Sequence, residues 1–323
     1  MLILNREDIK AVVTMQDAIQ AMEEAFRELA GGQVQVPPRH VIDVPSSGEV
    51  LIMPGYLGNM GALGFKVVSS YPDNPERFGM PTVRAAIAYY DPTTGEHLAL
   101  MDGTYLTAVR TGATSGLATR YLAREDRQVV GVLGSGVQAE AQLEATCCVR
   151  SIGLAKVYSR SPSHAITFAG RMSRLLGVDV RPVDSARDAV VGSDIVITAT
   201  TSPQPVVMGD WLSSGTHINA IGAHTPTTRE LDGNAIRMAK VCVESLEAAL
   251  QEAGDIIIPL TEGLIGRDHV YAALGELAAG QKPGRVHAAE ITVFKSVGLA
   301  VEDVAIAKLA YDRAKARGVG LAV

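Results

Sequence analysis

The sequence predicts an α/β protein in which a Rossmann-type doubly wound parallel sheet follows a smaller α+β domain. Three observations support this fold class. Strands and helices alternate from Gln128 onward, several of the strands are continuous Val/Ile runs, and a glycine-rich turn joins the first of them to a helix. Strands of such a sheet are buried on both faces by flanking helices, which explains their unbroken apolar character.

The composition excludes several classes of protein. The chain has 323 residues, of which 47% are hydrophobic and 20% charged, enough for a core and, by length, for two domains. A net charge of -6 gives no basic surface for nucleic acid. No apolar run approaches the roughly 18 residues that cross a bilayer, and three cysteines match neither a disulfide framework nor a zinc site. We therefore expect a cytoplasmic protein without metal, membrane or nucleic-acid partners.

The first third of the chain predicts a helix followed by a sheet. Met15, Ile19, Met22, Phe26 and Leu29 recur at helical spacing, and the two glycines at 31 and 32 end that helix. Strands are predicted at residues 40–44, 50–53, 63–68, 84–90 and 98–101. Because no helices separate them, we expect an antiparallel or mixed sheet.

The remainder predicts the alternating domain. A helix over residues 105–121 leads into it, and residues 1–120 and 121–299 are the expected domains. Strands are predicted at 129–133, 155–158, 178–182, 194–199, 217–221 and 240–243, and helices at 137–148, 163–176 and 186–191. An amphipathic helix over 300–317 can return to the first domain, which would then include residues 300–323.

The turn after the strand at 129–133 has the form G-x-G-x-x-A and reads Gly134-Ser135-Gly136-Val137-Gln138-Ala139. Gly134 permits a tight turn, Gly136 lets the backbone approach a pyrophosphate, and Ala139 allows the helix to pack closely on the strand. The helix N-terminus adds a positive field. The pattern predicts a dinucleotide site; the alternative is an ordinary strand–helix turn without a ligand.

The next strand end distinguishes between dinucleotides. NAD enzymes place Asp or Glu there, whereas this chain has Ser159, Arg160 and Ser161. A guanidinium between hydroxyls suits a 2′-phosphate, so NADP(H) is predicted as the preferred cofactor, with NAD(H) possible. The alternative for Arg160 is an exposed loop arginine. Ligands of open parallel sheets bind at the carboxyl ends of strands, which adds Thr198, Ala199, Thr200, Thr201, Ile221 and Gly222 to the predicted cofactor contacts.

Three basic residues of the first domain lie in unusual surroundings. Lys66 is inside the apolar run 63–68, Arg110 is in a helix of small and apolar residues, and Arg39 follows two prolines. A buried cation is costly unless an anion compensates for its lost hydration. Because no local run of acids matches the three, they predict a pocket for a carboxylate. The alternative is that each forms a structural ion pair with a distant Asp or Glu.

The sequence resembles the ornithine cyclodeaminase/μ-crystallin family over essentially its whole length. The matching stretches are Met53-Pro54-Gly55, Leu63-Gly64-Phe65-Lys66, Asp91-Pro92-Thr93-Thr94-Gly95, Met101-Asp102-Gly103, Leu106-Thr107-Ala108-Val109-Arg110-Thr111-Gly112-Ala113, the glycine turn, and Ile291-Thr292-Val293-Phe294-Lys295-Ser296-Val297-Gly298. The resemblance implies a homodimer whose first domain carries the dimer interface and the substrate site. It implies that Arg39, Lys66 and Arg110 bind the substrate carboxylate, with Thr82 nearby. Further cofactor contacts are expected at Thr111, Ser296 and Gly298.

The resemblance also guides the choice of reaction. Cyclodeaminases of the family have an Asp in a Gly-x-Asp-x-Pro stretch that engages the substrate amine, and this chain has His224 at that position. Histidine cannot supply that negative charge. We therefore predict an NAD(P)H-dependent reductase that converts Δ1-pyrroline-2-carboxylate or Δ1-piperideine-2-carboxylate to proline or pipecolate, with Lys66 or His224 as proton donor. The alternatives are an ornithine cyclodeaminase, an alanine-type dehydrogenase and a non-catalytic NADPH-binding protein.

Several acidic residues, and His224 itself, also have structural interpretations. Glu244, Glu247 and Glu252 are expected on a solvated helix face. Glu302 and Asp303 fall in the first turn of the last helix, where negative charge complements the helix dipole. For His224 the alternative is a hydrogen bond to backbone at a strand end.

Overall fold

The computed structural model describes residues 1–126 and 128–323, which form two compact units. Unit 1 comprises residues 1–111 and 299–323, and unit 2 comprises residues 112–298. The division falls after Thr111, inside the helix Gly103–Leu122, and the expected boundary at residue 120 lies near the end of the same helix.

The strands in chain order are β1 (Leu2–Leu4), β2 (Val34–Gln35), β3 (His40–Val44), β4 (Gly48–Leu57), β5 (Ala62–Ser70), β6 (Val83–Tyr90), β7 (His97–Asp102), β8 (Val129–Leu133), β9 (Leu154–Tyr158), β10 (Asp179–Pro182), β11 (Ile195–Thr198), β12 (His217–Ala220), β13 (Ala239–Val243), β14 (Val270–Ala273), β15 (Ile291–Lys295) and β16 (Leu321–Ala322). The α-helices are α1 (Arg6–Val12), α2 (Met15–Ala30), α3 (Asn74–Phe78), α4 (Gly103–Leu122), α5 (Val137–Val149), α6 (Pro162–Leu176), α7 (Ala186–Val190), α8 (Gly233–Met238), α9 (Leu246–Glu252), α10 (Gly254–Thr261), α11 (Leu274–Ala278) and α12 (Ala300–Arg317).

Unit 1 is built on a mixed sheet, as the sequence predicts. Its strand order is β16-β1-β7-β6-β5-β4-β2, with β3 also paired to β4. β1 and β7 run parallel, and the other pairs are antiparallel. The helix α12 packs against α2 and against β4 and β5. One face of the sheet is therefore covered by helices, and Lys66 is on that face.

The strand β4 is longer than the predicted residues 50–53, although it contains Pro54. Proline lacks the N–H that a sheet ladder needs. Here β3 pairs with residues 48–52 of β4 and β2 pairs with residues 56–57, so Pro54 falls between the two partners. The strand continues through the proline because that position forms its ladder only on the β5 side.

Unit 2 is a parallel sheet with the strand order β10-β9-β8-β11-β12-β15-β13-β14. The predicted doubly wound Rossmann-type fold is confirmed. The order reverses between β8 and β11, and ligands of such sheets bind outside the carboxyl ends of the strands at this switch point. Among the described residues, no helix has both the length and the apolar character that a membrane span requires.

Candidate functional site

The glycine turn follows β8 at the switch point of unit 2. Gly134 has a φ of 110°, a left-handed value that side chains rarely adopt. A Cβ on Gly134 would lie 2.3 Å from the carbonyl oxygen of Ala199, so only glycine fits between the two strand ends. Ala139 is fully buried where α5 packs on the sheet. The turn thus has the geometry that the sequence pattern predicts.

The N-terminus of α5 is open where a pyrophosphate would be held. Its N-cap residue, Gly136, provides no side-chain hydrogen bond, and a Cβ placed on it would meet nothing within 4 Å. The Oε1 atom of Gln138 is buried and has no hydrogen-bond partner in the described part of the chain. Exposed first-turn N–H groups and the helix dipole attract anions. These residues fit the pyrophosphate of a dinucleotide.

The end of β9 is connected to the glycine turn. The Ser135 hydroxyl donates to Ser159 Oγ at 3.0 Å, and the Gly134 N–H donates to the Tyr158 carbonyl oxygen at 2.9 Å. Arg160 follows with an exposed side chain, and Ser161 is the N-cap residue of α6. The exposed position of Arg160 is compatible both with a 2′-phosphate contact and with a simple surface arginine.

The loops after β11 and β12 are held by a buried carboxylate that the sequence analysis did not identify. Glu230 is fully buried. Its Oε2 atom accepts from Thr198 Oγ1 at 2.8 Å and from the Gly222 N–H at 2.6 Å. Its Oε1 atom accepts from the Thr200 N–H at 2.7 Å. Burial raises the pKa of Glu230, while the charge of Lys295 lowers it.

The carboxyl end of β15 has a similar arrangement, which corrects one expectation. Glu244 is buried rather than on a solvated helix face, because it directly follows the buried strand β13. Its carboxylate accepts from the N–H groups of Val297 at 3.0 Å and Gly298 at 2.7 Å, and from the Ser296 hydroxyl. Two of the predicted cofactor residues, Ser296 and Gly298, are therefore held by a carboxylate.

Unit 1 contains a buried cluster of four charged side chains. Lys66 Nζ is 2.8 Å from Asp303 Oδ2. The Arg110 guanidinium contacts Glu302 at 2.8 Å through Nη1 and Asp303 at 3.0 Å through Nε. All four side chains are at least nine-tenths buried. Two cations and two carboxylates balance, which makes the burial tolerable.

Lys66 and Arg110 therefore have distant acidic partners, as in the alternative of structural ion pairs, although no acidic residues lie near them in sequence. The sequence analysis did not identify these partners because both belong to α12, far along the chain. Asp303 is 237 positions from Lys66, and Glu302 is 192 positions from Arg110. Glu302 does have the expected helix-start role as well, since its Oε1 accepts from the Leu299 N–H at 2.6 Å.

The surroundings of Lys66 lower its pKa toward neutral pH. Its pKa is lowered from 10.5 to about 8, chiefly by burial and next by the charge of Arg110, while Asp303 and Glu302 oppose the shift. Such an ammonium is charged at neutral pH and can lose its proton slightly above it. It has the properties both of a carboxylate ligand and of a proton donor.

The strand register separates the other predicted substrate residues. Arg39 directly precedes His40, which pairs with Ile52, so its backbone is next to the row that pairs Met53 with Lys66. Arg39 and Lys66 are thus about two strand spacings, or roughly 10 Å, apart in backbone terms. The Ser70–Val83 pair is about 13 Å along β5 from Lys66, and Thr82 lies one residue further, about 16 Å away. The register does not bring Thr82 beside Lys66.

The remaining predicted residues are distributed between the units. Thr111 is buried and ends the first segment of unit 1. His224 of unit 2 is exposed, and its Nδ1 is 3.1 Å from the Gly222 carbonyl oxygen, as in the structural alternative. Within residues 1–126 and 128–323, no group of three His, Cys, Asp or Glu side chains could hold a metal ion.

The family model of ornithine cyclodeaminase/mu-crystallin proteins matches residues 1–318. The chain belongs to this family. Among solved structures, it is similar to the Δ1-pyrroline-2-carboxylate reductase of Thermococcus litoralis in complex with NADH and L-proline, with a TM-score of 0.97, 50% identity and 100% of both chains covered.

Two further relatives are an alanine dehydrogenase and a second Δ1-pyrroline-2-carboxylate reductase. A structure of an archaeal alanine dehydrogenase dimer with bound NAD has a TM-score of 0.94 and 41% identity, and covers 100% of this chain and 98% of that one. The Δ1-pyrroline-2-carboxylate reductase of Bacillus cereus is 39% identical over 324 residues, which is 99% of this chain and 98% of the relative. The predicted family membership is confirmed.

Proposed function

We propose that this protein is a nicotinamide-dinucleotide-dependent reductase of a cyclic imine carboxylate, with Δ1-pyrroline-2-carboxylate as substrate and proline as product. The observation that carries the proposal is the full-length similarity to the Thermococcus reductase, which binds NADH and L-proline. The open N-terminus of α5 supports a dinucleotide in unit 2. The buried cations of unit 1 support a carboxylate ligand. Δ1-Piperideine-2-carboxylate, with one more ring carbon, is a second candidate substrate.

In this proposal Lys66 and Arg110, with Arg39, bind the substrate carboxylate. Glu302 and Asp303 hold the first two in fixed positions, so little side-chain entropy is lost when the anion binds. An anion that enters this neutral cluster makes its net charge negative. The favourable response is to retain the proton on Lys66, since a nearby negative charge raises the pKa of an ammonium group.

The reaction adds a hydride to the imine carbon and a proton to the imine nitrogen, so that C=N becomes CH–NH. The reduced nicotinamide supplies the hydride when the dinucleotide is bound. We favour Lys66 as the proton donor, because a pKa of about 8 leaves it protonated at neutral pH and makes it a stronger acid than an ordinary lysine. His224, the other predicted donor, has an exposed ring that contacts its own loop. Assignment of the donor to Lys66 remains a proposal.

The proposal also includes a preference between the two nicotinamide dinucleotides. We infer a preference for NADP(H) from Arg160 between Ser159 and Ser161, without a carboxylate at the end of β9. The Thermococcus reductase structure contains NADH, and the archaeal alanine dehydrogenase structure contains NAD. Use of NAD(H) is therefore the competing outcome. A cytoplasmic location also stays a prediction.

We also propose a homodimer that forms through unit 1. Alternation along β5 places Leu63, Phe65 and Val67 on the face opposite Lys66, and all three are partly exposed. On β7, which is separated from β5 by β6, Leu100 lies in the same row as Phe65 and is 42% exposed. An apolar sheet face of this kind is typical of an interface, and the related alanine dehydrogenase is a dimer. A solution mass of a single 34.0 kDa chain would contradict the proposal.

The decisive experiment mixes purified protein with NADPH or NADH and Δ1-pyrroline-2-carboxylate and follows nicotinamide absorbance. Oxidation of the reduced cofactor with formation of proline supports the proposal. Ammonia release from ornithine without net cofactor consumption would identify a cyclodeaminase. Cofactor oxidation with pyruvate and ammonia alone would identify an alanine-type dehydrogenase. Tight cofactor binding without any turnover would identify a binding protein.

A further inference from the structure

We propose that Glu230 is a positioning residue for the cofactor: its buried carboxylate holds the loops after β11 and β12 together in the form that binds the dinucleotide. The inference rests on the proposed function, because it takes Thr198, Thr200 and Gly222 as parts of a dinucleotide site. Glu230 itself lies beneath these loops and is fully buried.

Five hydrogen bonds connect Glu230 to the two loops. From the β11 loop, Oε1 accepts the Thr200 N–H and hydroxyl, both at 2.7 Å, and Oε2 accepts the Thr198 hydroxyl at 2.8 Å. From the β12 loop, Oε2 accepts the N–H of Gly222 at 2.6 Å and of Ala223 at 3.3 Å. A single carboxylate therefore satisfies backbone donors of both strand ends, which would be costly to bury unpaired.

The two loops approach each other so closely that a side chain is excluded between them. A Cβ on Gly222 would lie 2.2 Å from the Thr200 carbonyl oxygen and 2.6 Å from Glu230 Oε1. The backbone of Gly222 therefore packs directly against the backbone of Thr200, and the Glu230 carboxylate lies beside both. The Thr198 carbonyl oxygen also accepts the N–H groups of Ile221 at 2.9 Å and Gly222 at 3.2 Å. Loss of the carboxylate would remove the acceptor that Thr200 and Gly222 share but not this direct link.

Glu230 is in turn fixed from behind by Asp255 and Lys295. Asp255 Oδ1 accepts the N–H groups of Glu230 at 2.8 Å and Leu231 at 2.9 Å. Lys295 Nζ is 2.9 Å from Asp255 Oδ2 and also donates to the Ala223 carbonyl oxygen. This arrangement runs from β15 through α10 to the two loops, and all three side chains are buried.

The position of these loops gives the arrangement its functional meaning. β11 lies directly beside β8 at the switch point of the sheet, and β12 is the next strand. Loops that are already fixed lose little conformational entropy when a ligand orders them, and this favours binding. The carboxylate acts on the cofactor through the loops, without a contact of its own.

Glu230→Gln tests the proposal with minimal change of volume. Both carboxylate oxygens accept backbone N–H groups, and the amide of glutamine has only one oxygen. In either orientation the amide NH2 would face a backbone donor of one loop, and that loop must move. We expect the Kd for the preferred reduced dinucleotide to rise about tenfold, which corresponds to about 1.4 kcal/mol.

Asp194→Asn is the matched control. Asp194 precedes β11 at the opposite end of the same strand, and its carboxylate also accepts backbone N–H groups, from Gln128 at 3.2 Å and Val129 at 3.1 Å. Both N–H groups contact the Oδ2 atom, so asparagine can keep an acceptor there while the variant loses a carboxylate charge in the same sheet, away from the loops. We expect its Kd to change by less than about twofold.

The experiment measures the Kd of NADPH and of NADH by fluorescence, and Tm, for the wild-type chain, both variants and Thr198→Val. Thr198→Val removes the hydrogen bond from the Thr198 hydroxyl to Glu230 and leaves the Glu230 carboxylate in place. This variant therefore tests the proposal if Glu230→Gln does not fold. We expect a rise of about threefold in its Kd. Equal changes of Kd in Glu230→Gln and Asp194→Asn, or an unchanged Kd in Thr198→Val, would overturn the proposal.

A steady-state measurement adds an independent readout. A positioning role predicts a higher KM for the dinucleotide with an unchanged KM for the imine, whereas general destabilisation lowers kcat without this selectivity. If the wild-type chain binds a dinucleotide but reduces no imine, only the reductase assignment fails, since the Kd comparison still decides the role of Glu230. If it binds neither dinucleotide, both proposals fail.

Discussion

Each unit buries a lysine on a strand, and the two lysines have different surroundings. In unit 1, Lys66 shares its cluster with a second cation, and the two carboxylates make contacts with cationic side chains. In unit 2, Lys295 neutralises one acid of a pair, and the carboxylates mostly accept backbone N–H groups. In the unit 1 cluster, the carboxylates mainly contact cationic side chains. In the unit 2 cluster, which consists of Glu230, Asp255 and Lys295, the carboxylates mainly contact the backbone of two loops.

The contacts of a buried carboxylate indicate which role it can have. A buried ion pair alone is weak evidence of function, because it also occurs as a structural element. In the proposed function, the carboxylates of unit 1 hold the cations that bind the substrate carboxylate, whereas the carboxylates of unit 2 hold N–H groups and fix the loops at the cofactor.

The largest expected effect is on the substrate side of this comparison. Arg110→Ala should raise the KM for Δ1-pyrroline-2-carboxylate about 100-fold, because a charged hydrogen bond to a carboxylate contributes about 1.5–3 kcal/mol. The dinucleotide Kd should remain unchanged, since the unit 2 cluster is intact. Steady-state kinetics and fluorescence titration of one preparation measure both quantities.

Arg313→Ala is the control for that variant. Arg313 is also in unit 1, on α12, where it forms a 2.6 Å ion pair with Asp17, and its side chain is 33% exposed. Its removal should leave the KM within about twofold of the wild-type value, because such partly exposed pairs contribute little. If Arg110→Ala had the same KM as Arg313→Ala, Arg110 would not be part of the substrate site.

The sequence predicted those parts of the fold that depend on local patterns. The glycine turn, six of the eight strands of the parallel sheet and the helix at 15–30 have their own periodicity or turn residues, whereas β14 and β15 were not among the predicted strands. β1 and β16 were missed because they have three and two residues, too few to show alternation.

The charged partners were not predictable in the same way. Glu302 and Asp303 have an ordinary local explanation at a helix start, and only the tertiary fold brings them to Lys66 and Arg110. Lys295 is different, since it ends a buried apolar strand and therefore carried the same signal as Lys66. That signal could have indicated the second cluster, although not its acidic partners.

His217 is a buried ionisable residue outside the two clusters, and its effect on stability is expected to be the next largest. His217 is fully buried, and its ring nitrogens are 2.9 Å from Thr292 Oγ1 and 3.2 Å from Asn219 Oδ1. Its pKa is lowered to about 3, chiefly by burial and next by the charge of Arg285. A depressed pKa means that its stability contribution is complete above the unfolded pKa and is lost as the pH falls.

We expect the wild-type chain to lose about 1.6 kcal/mol of unfolding free energy from this residue between pH 6.5 and pH 5. His217→Gln should be less stable at pH 7 but should show a smaller acid-dependent loss. Urea unfolding at both pH values measures the difference. Parallel losses in the two proteins would show that His217 does not resist protonation in the fold.

The unit 1 cluster should also respond to alkaline pH, in the direction that its lysine dictates. Because the pKa of Lys66 is about 8, its charge is lost as the pH rises through that value. The inhibition constant of pyrrole-2-carboxylate, a planar carboxylate, should be constant below pH 8 and rise about tenfold per pH unit above it. In Lys66→Arg the profile should stay flat, because a guanidinium does not titrate there. A flat profile in the wild-type chain would exclude a role of the Lys66 charge in carboxylate binding.

The smallest effect is expected for a cation that is not buried in either cluster. Arg160 is exposed at the end of β9, so a contact with a 2′-phosphate is worth only about 1 kcal/mol. Arg160→Ala should therefore weaken NADPH about fivefold and leave NADH nearly unchanged, and the loss should shrink at high ionic strength. Arg174→Ala, in the last turn of α6, provides an exposed arginine away from the strand end as control. If Arg160→Ala kept the full ratio of NADPH to NADH affinity, the preference for the phosphorylated cofactor would have to arise elsewhere in unit 2 or be absent.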